Sequence, residues 1–366
     1  MRITFLFCGA SPRPAGGYKV VYEYANRLAA DNHQVDVVYA AHCFRFGQNL
    51  WMRLWTFLIA CVRLIYRKLR KGYSCRSWFQ LDERVKEHFV FSLKEAFVPE
   101  ADIYVATAIK TSFYLSDYKR ISPSSKFYLI QGFEDWDDVS KEDVIRSYHL
   151  PLQKIVIAQW LKAVVNACGE ECEVVPNGFD FDYFQLKKPI NQRDRFTVCM
   201  LYHFQKLKGC AEGIKTLNLV KKKQPELQVN IFGATPRPAE LPEWFHYYQQ
   251  PNREEHNQVY NEASVFLACS HSEGWGLTLG EAMICGCAVV CTDASGYLEM
   301  ATDGETALIS PVRDAEAMAA NLLRLMEDDS LRQKIAENGN QSIKRFTWEK
   351  AYEKLSNLLL NPTTDK

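Results

Sequence analysis

The sequence predicts an α/β protein made of two doubly wound, parallel-sheet (Rossmann-like) domains that face each other across a cleft. Three observations support this. Short β-branched runs recur along the chain, separated by longer segments of helical pattern. The runs are apolar throughout rather than alternating, as strands buried on both faces require. The alternation of strand and helix is interrupted by one charged, proline-bearing stretch, LKKPINQRD (186–194), which divides it into two series. At 366 residues, the chain also exceeds what a single compact core commonly holds.

The first series comprises ITFLF (3–7), VDVVY (35–39), IYVA (103–106), FYLIQ (127–131) and KIVI (154–157). The second comprises TVCML (197–201), QVNIF (228–232), VFLA (265–268) and AVVC (288–291). Between the first two strands, Val20, Val21, Tyr24, Ala25, Leu28 and Ala29 fall on one face at helical spacing. These patterns set the expected boundaries: a first domain over 1–186, a linker over 187–194, a second domain over 195–345 and a last helical segment over 346–366. Ligands of doubly wound sheets lie beyond the C-terminal ends of the strands.

Composition narrows the class. Hydrophobic residues make up 47% of the chain and charged residues 24%, with a formal net charge of zero. This describes a globular protein with no general attraction to nucleic acid. The twelve cysteines are scattered with no C-x-x-C pair, and MRITFLFCGA at the start stops being apolar at Gly9 and lacks a secretory plan. A cytoplasmic location with reduced thiols is the expectation.

Residues 51–79, WMRLWTFLIACVRLIYRKLRKGYSCRSWF, depart from the pattern. The longest uncharged stretch, Leu54 to Val62, is far short of the ~20 apolar residues that span a bilayer. Yet Arg53, Arg63, Arg67, Lys68, Arg70, Lys71 and Arg76 occur with no acidic residue among them. Aromatic and aliphatic side chains interleaved with cations suit a helix lying on an anionic membrane surface, which would make the protein peripheral to the inner face of the cytoplasmic membrane. The same letters also suit an amphipathic helix packed on its own domain with its basic face in water.

The most informative stretch is SHSEGWGLTLGE (270–281). It follows the buried strand SVFLAC, and Gly274 and Gly276 let the backbone approach a ligand closely. A helix then begins near Leu277 and Thr278, offering unpaired N–H groups to a phosphate. Glu273 and Glu281 bracket the turn, and a carboxylate accepts hydrogen bonds from two sugar hydroxyls at once.

SEGWGLTLGEAMICGCAVVCTDASGYLEMATDGETALISP (272–311) resembles the core signature of the retaining glycosyltransferases of the "group 1" family, which have the GT-B fold. VVPNGFDFDYF (174–184), LKGCAEGIKTL (207–217), the glycine loop, helix and strand over 11–38, and FTWEKAYEKLSNLL (346–359) are similar to further family segments in the same order. Residues 41–100 have no counterpart. The resemblance implies an acceptor-side first domain, a nucleotide-sugar-binding second domain and a last helix crossing back to the first.

It also implies roles. Glu281 would hold the ribose of a nucleotide. Glu273 would hold the transferred sugar, beside the backbone of Gly274, Trp275 and Gly276 and the helix start at Leu277 and Thr278. Lys208 would neutralise the diphosphate, with Gly16 and Gly17 approaching from the first domain. The family places an arginine five or six residues before that lysine, where this chain has Tyr202 and His203; His203 stays a donor-binding candidate, and Lys206 or Arg13 is left to supply the second cation. Gln131, Glu134 and Asp135 follow a strand of the first domain and are the acceptor-side candidates. Asp135–Trp136–Asp137 also spells D-x-D, a metal–diphosphate motif of the other glycosyltransferase fold, but the second-domain motifs suit the metal-independent one.

The implied activity is transfer of a hexosyl or deoxyhexosyl unit, with retention and without a metal or other cofactor. The donor is a nucleotide-diphosphate sugar (UDP or GDP) and the acceptor a saccharide or lipid-linked saccharide, as in bacterial surface polysaccharide or lipopolysaccharide biosynthesis. Two other readings share the fold: a catalytically silent partner subunit, and a nucleotide-sugar epimerase.

Overall fold

The computed structural model of the protein describes residues 1–361 except 48, 49, 71, 137 and 240, with the side chains of Leu50, Arg53, Leu54, Lys68 and Arg70 also left undescribed. The chain forms two compact units, Met1–Asn177 with Trp348–Lys366, and Gly178–Thr347.

In the first unit the elements run β1 (Arg2–Phe7), α1 (Gly16–Ala30), β2 (Gln34–Ala40), α2 (Leu50–Arg70), β3 (Lys86–Val90), β4 (Ile103–Ala106), α3 (Ile109–Ser116), β5 (Lys126–Ile130), α4 (Lys141–Tyr148), β6 (Gln153–Val156), α5 (Gln159–Ala167) and β7 (Glu173–Val174). The strands form one parallel sheet in the order β3-β2-β1-β4-β5-β6-β7. Strand order reverses direction between β1 and β4, which makes that gap the topological switch point. Side chains of β1, β2, β4 and β5 are buried on both faces, which is why those runs carry no polar alternation. The stripe Val20, Val21, Tyr24, Ala25, Leu28 and Ala29 packs α1 onto this sheet.

In the second unit the elements run β8 (Thr197–Tyr202), α6 (Cys210–Lys223), β9 (Gln228–Gly233), β10 (Phe245–Gln249), α7 (Arg253–Glu262), β11 (Val265–Ala268), α8 (Leu277–Ile284), β12 (Ala288–Thr292), β13 (Leu308–Ser310), α9 (Ala315–Glu327) and α10 (Asp329–Ile343). The sheet is again parallel, in the order β10-β9-β8-β11-β12-β13, with its switch point between β8 and β11.

The final helix, α11 (Trp348–Leu360), belongs to the first unit. The Trp348 ring meets Tyr24 edge-on at 5.5 Å, and the Arg27 guanidinium lies 5.3 Å from the Trp348 ring centre. Residues 362–366 of the expected last segment lie outside the described residues.

The linker expected over 187–194 differs from what is found. The division falls earlier, after Asn177, and the segment is built onto the second unit. Arg193 is buried there, donating to the carbonyl oxygens of Lys188 (2.9 Å), Ala263 (3.0 Å), Tyr260 (3.2 Å) and Cys285 (2.5 Å). A guanidinium is tolerated inside a protein only when its N–H groups are satisfied. The charge that made this stretch look like a solvated connector is what pins it.

Candidate functional site

At the switch point of the second sheet, the turns after β8 and β11 lie side by side. After β8 a short helical turn, Lys206–Lys208, ends at Gly209, whose φ is +60°. A Cβ there would sit 1.8 Å from the Cys269 carbonyl oxygen, so only glycine allows this turn to press against the end of β11. The result puts Lys208 Nζ 2.7 Å from Glu273 Oε1. Ser270 Oγ donates to the same oxygen at 2.9 Å, and the Tyr297 hydroxyl reaches Ser270 Oγ at 2.9 Å. Gly296 supports the loop from behind: its N–H donates to the Glu273 carbonyl at 3.2 Å, and a Cβ there would lie 2.6 Å from that oxygen.

Gly276 caps α8 with a φ of +98°, and Leu277 and Thr278 open the helix as expected. Eight residues beyond Glu273, the buried Glu281 accepts at Oε2 from the Tyr260 hydroxyl at 3.2 Å. That hydroxyl also lies 3.3 Å from the Thr278 carbonyl. His203 stands at the end of β8, where burial and then the Lys208 cation push its imidazole below the usual range. Lys206 is exposed on the turn.

Residues 183–342 match the family described as glycosyl transferases group 1. They are a group 1 glycosyl transferase domain. The chain is 26% identical over 220 residues to phosphatidyl-myo-inositol mannosyltransferase of Mycolicibacterium smegmatis, covering 57% of each. It is also 26% identical over 200 residues to the capsular polysaccharide biosynthesis glycosyltransferase CapM of Staphylococcus aureus, covering 50% of this chain and 52% of CapM. The match thus spans about half the length of these curated relatives. Among solved structures, HepE of Anabaena in complex with UDP and glucose superposes with a TM-score of 0.70 at 15% identity, covering 99% of this chain and 100% of HepE. The two parallel-sheet units are those of the GT-B glycosyltransferase fold.

Within the group 1 domain, the structure brings Lys208 and Glu273 into contact and places His203 within their electrostatic reach. The Trp275 side chain is buried, set edge-on to Phe346 at 5.0 Å, which leaves its backbone as the part that can meet a ligand on the turn between Gly274 and Gly276. Ser270, Tyr297 and Tyr260 orient the two glutamates and were not picked out in the sequence. Their signal is weak, since a tyrosine in a buried position reads as core until its hydroxyl partner is seen.

In the first unit, Gly16 and Gly17 open α1, and Gln131 Nε2 donates to the Gly17 carbonyl at 3.2 Å. Glu134 turns back to the start of α3, accepting from the Ile109 N–H at 3.0 Å. Burial raises its carboxyl to about 7, opposed by that hydrogen bond and by Lys110. Asp135 is exposed. Lys110 pairs with Asp138 at 2.5 Å. Asp137, the second carboxylate of the D-x-D, lies outside the described residues. Among those that are described, no group of three or more His, Cys, Asp or Glu side chains is arranged to hold a metal ion.

Proposed function

We propose that this protein is a retaining, metal-independent glycosyltransferase that moves a hexosyl or deoxyhexosyl unit from a UDP- or GDP-sugar to a saccharide or lipid-linked saccharide, in the building of a bacterial surface polysaccharide. The observation that carries the reading is the Lys208–Glu273 pair at the switch point of the group 1 domain. In such sheets ligands bind beyond the strand ends, and this pair offers one cation and one hydroxyl acceptor there.

In the reaction, the bond from the sugar's anomeric carbon to the β-phosphate oxygen breaks, and its electron pair leaves with the nucleotide diphosphate. The acceptor oxygen bonds to that carbon on the same face, and its proton passes to the departing phosphate. Lys208 meets the charge growing on the leaving group, an effect worth about 3 kcal/mol per preorganised donor. Glu273 orients the sugar through its hydroxyls, and the first turn of α8 at Leu277 and Thr278 faces the phosphates. Glu281 accepts from the ribose, with Tyr260 holding it in place. His203 and Lys206 are the other groups near the diphosphate. Gln131, Glu134 and Asp135 form the acceptor side. The names of the relatives, a lipid mannosyltransferase and a capsule glycosyltransferase, and the UDP and glucose in the HepE complex support these substrate classes.

A thermal-shift panel of UDP, GDP, TDP and ADP, with and without magnesium or manganese, tests the reading. One nucleotide at 100 times its dissociation constant should stabilise the fold by about 2.7 kcal/mol without metal. A shift that requires metal overturns metal independence. No shift from any nucleotide overturns the enzyme reading in favour of a silent partner subunit.

A further inference from the structure

Helix α2 carries its apolar face outward. Trp51, Trp55, Leu58, Val62, Ile65 and Leu69 recur at steps of four and three residues and so form one stripe along the helix. They are exposed at 80, 66, 58, 68, 61 and 81% respectively. Of the nineteen large hydrophobic side chains exposed among the described residues, ten lie on this helix, so the apolar surface is concentrated rather than scattered. The opposite face rests on the domain through Ala60, which is buried, through Phe57, whose ring meets Phe91 edge-on at 5.1 Å, and through cations. Arg63 and Arg67 reach the carbonyls of Ala41 and Ala10, each at 3.4 Å, and the Arg67 guanidinium lies 5.9 Å from the Phe89 ring centre. Water would favour the reverse arrangement.

We propose that α2 is a docking helix for an anionic lipid bilayer, lying flat at the headgroup level with its stripe inserted. No helix among the described residues is long and apolar enough to cross a membrane, and a 21-residue helix of about 31 Å with one apolar face is suited to the interface plane instead. Charge selects the occupant. Residues 51–79 hold seven lysines and arginines and no acidic residue in a chain of zero net charge. Arg63 and Arg67 reach back to the domain and Arg76 pairs with Glu87, and the remaining Arg53, Lys68, Arg70 and Lys71 favour negatively charged lipid. A second copy of the same face would set like charges together. The tryptophans and Tyr66 suit the boundary between headgroup and acyl chain.

The tethers give docking a consequence. Ala10 and Ala41 follow β1 and β2 at the C-terminal edge of the first sheet, so a helix fixed on the bilayer brings that edge to the headgroups. Gln131 and Glu134 follow β5 at the same edge. This inference stands on α2 alone and does not depend on the reading of the group 1 domain.

The test is co-sedimentation of the full chain with phosphatidylcholine vesicles, with and without phosphatidylglycerol. The expected result is binding to the anionic vesicles, weakened more than about tenfold in Trp55→Glu/Leu58→Glu and about tenfold or more in Lys68→Gln/Arg70→Gln/Lys71→Gln. Unchanged melting temperatures would show that the variants fold; should the first not fold, the second still decides the question. Failure of the folded parent to bind anionic vesicles, or equal binding by either folded variant, overturns the proposal. So does binding that is equally tight without phosphatidylglycerol. Self-association abolished by Trp55→Glu/Leu58→Glu, with no vesicle binding, would make the face an interface between copies.

Discussion

Lys208 Nζ and Glu273 Oε1 lie 2.7 Å apart, one on the turn after β8 and the other on the turn after β11. The two strands that flank the switch point therefore each deliver one charge to the same spot. An arriving diphosphate would meet Lys208 already oriented by its partner, with no side-chain reorganisation left to make. Lys208→Ala should lower kcat about 100-fold at saturating donor, the loss of one preorganised donor. The partly exposed pair should contribute no more than about 1 kcal/mol to folding, so the melting temperature should move little. Steady-state kinetics beside a melt separate the two, and an unchanged kcat would remove Lys208 from the transition state.

Glu281 is buried, and its Oε2 accepts from Tyr260. Hydrogen bonds to charged groups contribute about 1.5–3 kcal/mol. Glu281→Ala should therefore weaken nucleotide binding by about 10- to 100-fold, while Tyr260→Phe should weaken it less because the carboxylate itself remains. Titration calorimetry with the nucleotide from the thermal-shift panel checks both. Equal affinity in Glu281→Ala would place the ribose elsewhere.

Gly209 makes the Lys208 turn possible, and its requirement is steric as well as conformational. Gly304 has a similar positive φ, +70°, but a Cβ there meets nothing within 4 Å, whereas at Gly209 it would lie 1.8 Å from backbone oxygen. Gly304→Ala should cost about 1–2 kcal/mol, the left-handed conformation alone. Gly209→Ala should cost distinctly more and also lower kcat, because the turn must move. Chemical unfolding of the two variants gives the comparison, and equal losses would contradict the steric argument.

How much of this was readable from residues depends on position in the sheet. The nine apolar runs all became strands, and the strands they missed are β3, β7, β10 and β13. These four are the edges of the two sheets. An edge strand is paired on one side only, so KEHFV and FHYYQ can carry charged and polar residues that a central strand could not. Glu273, Glu281 and Lys208 were legible because glycines fix their turns locally. Ser270, Tyr297 and Tyr260 were not, because their roles arise from hydroxyl partners 3 to 27 residues away. The outward face of α2 was half-legible: periodicity gives the stripe but not which side meets the domain.

Glu134 supplies a prediction about pH. Its carboxyl is raised to about 7, chiefly by burial, from an ordinary value of 4.5. Below about pH 4.5 the group is protonated whether the chain is folded or not, and its contribution to stability is complete. As pH rises toward 7 the unfolded chain ionises while the folded one stays protonated, so stability falls. Above about 7 both are ionised, and the folded state bears the whole penalty, up to about 3 kcal/mol. Glu134→Gln keeps an acceptor for the Ile109 N–H but cannot ionise. Relative to the parent, this variant should therefore gain up to about 3 kcal/mol between pH 4.5 and pH 8. Urea unfolding of both proteins across that range cancels every other titrating group, and a difference that stays flat with pH would show that the folded chain does not hold Glu134 protonated.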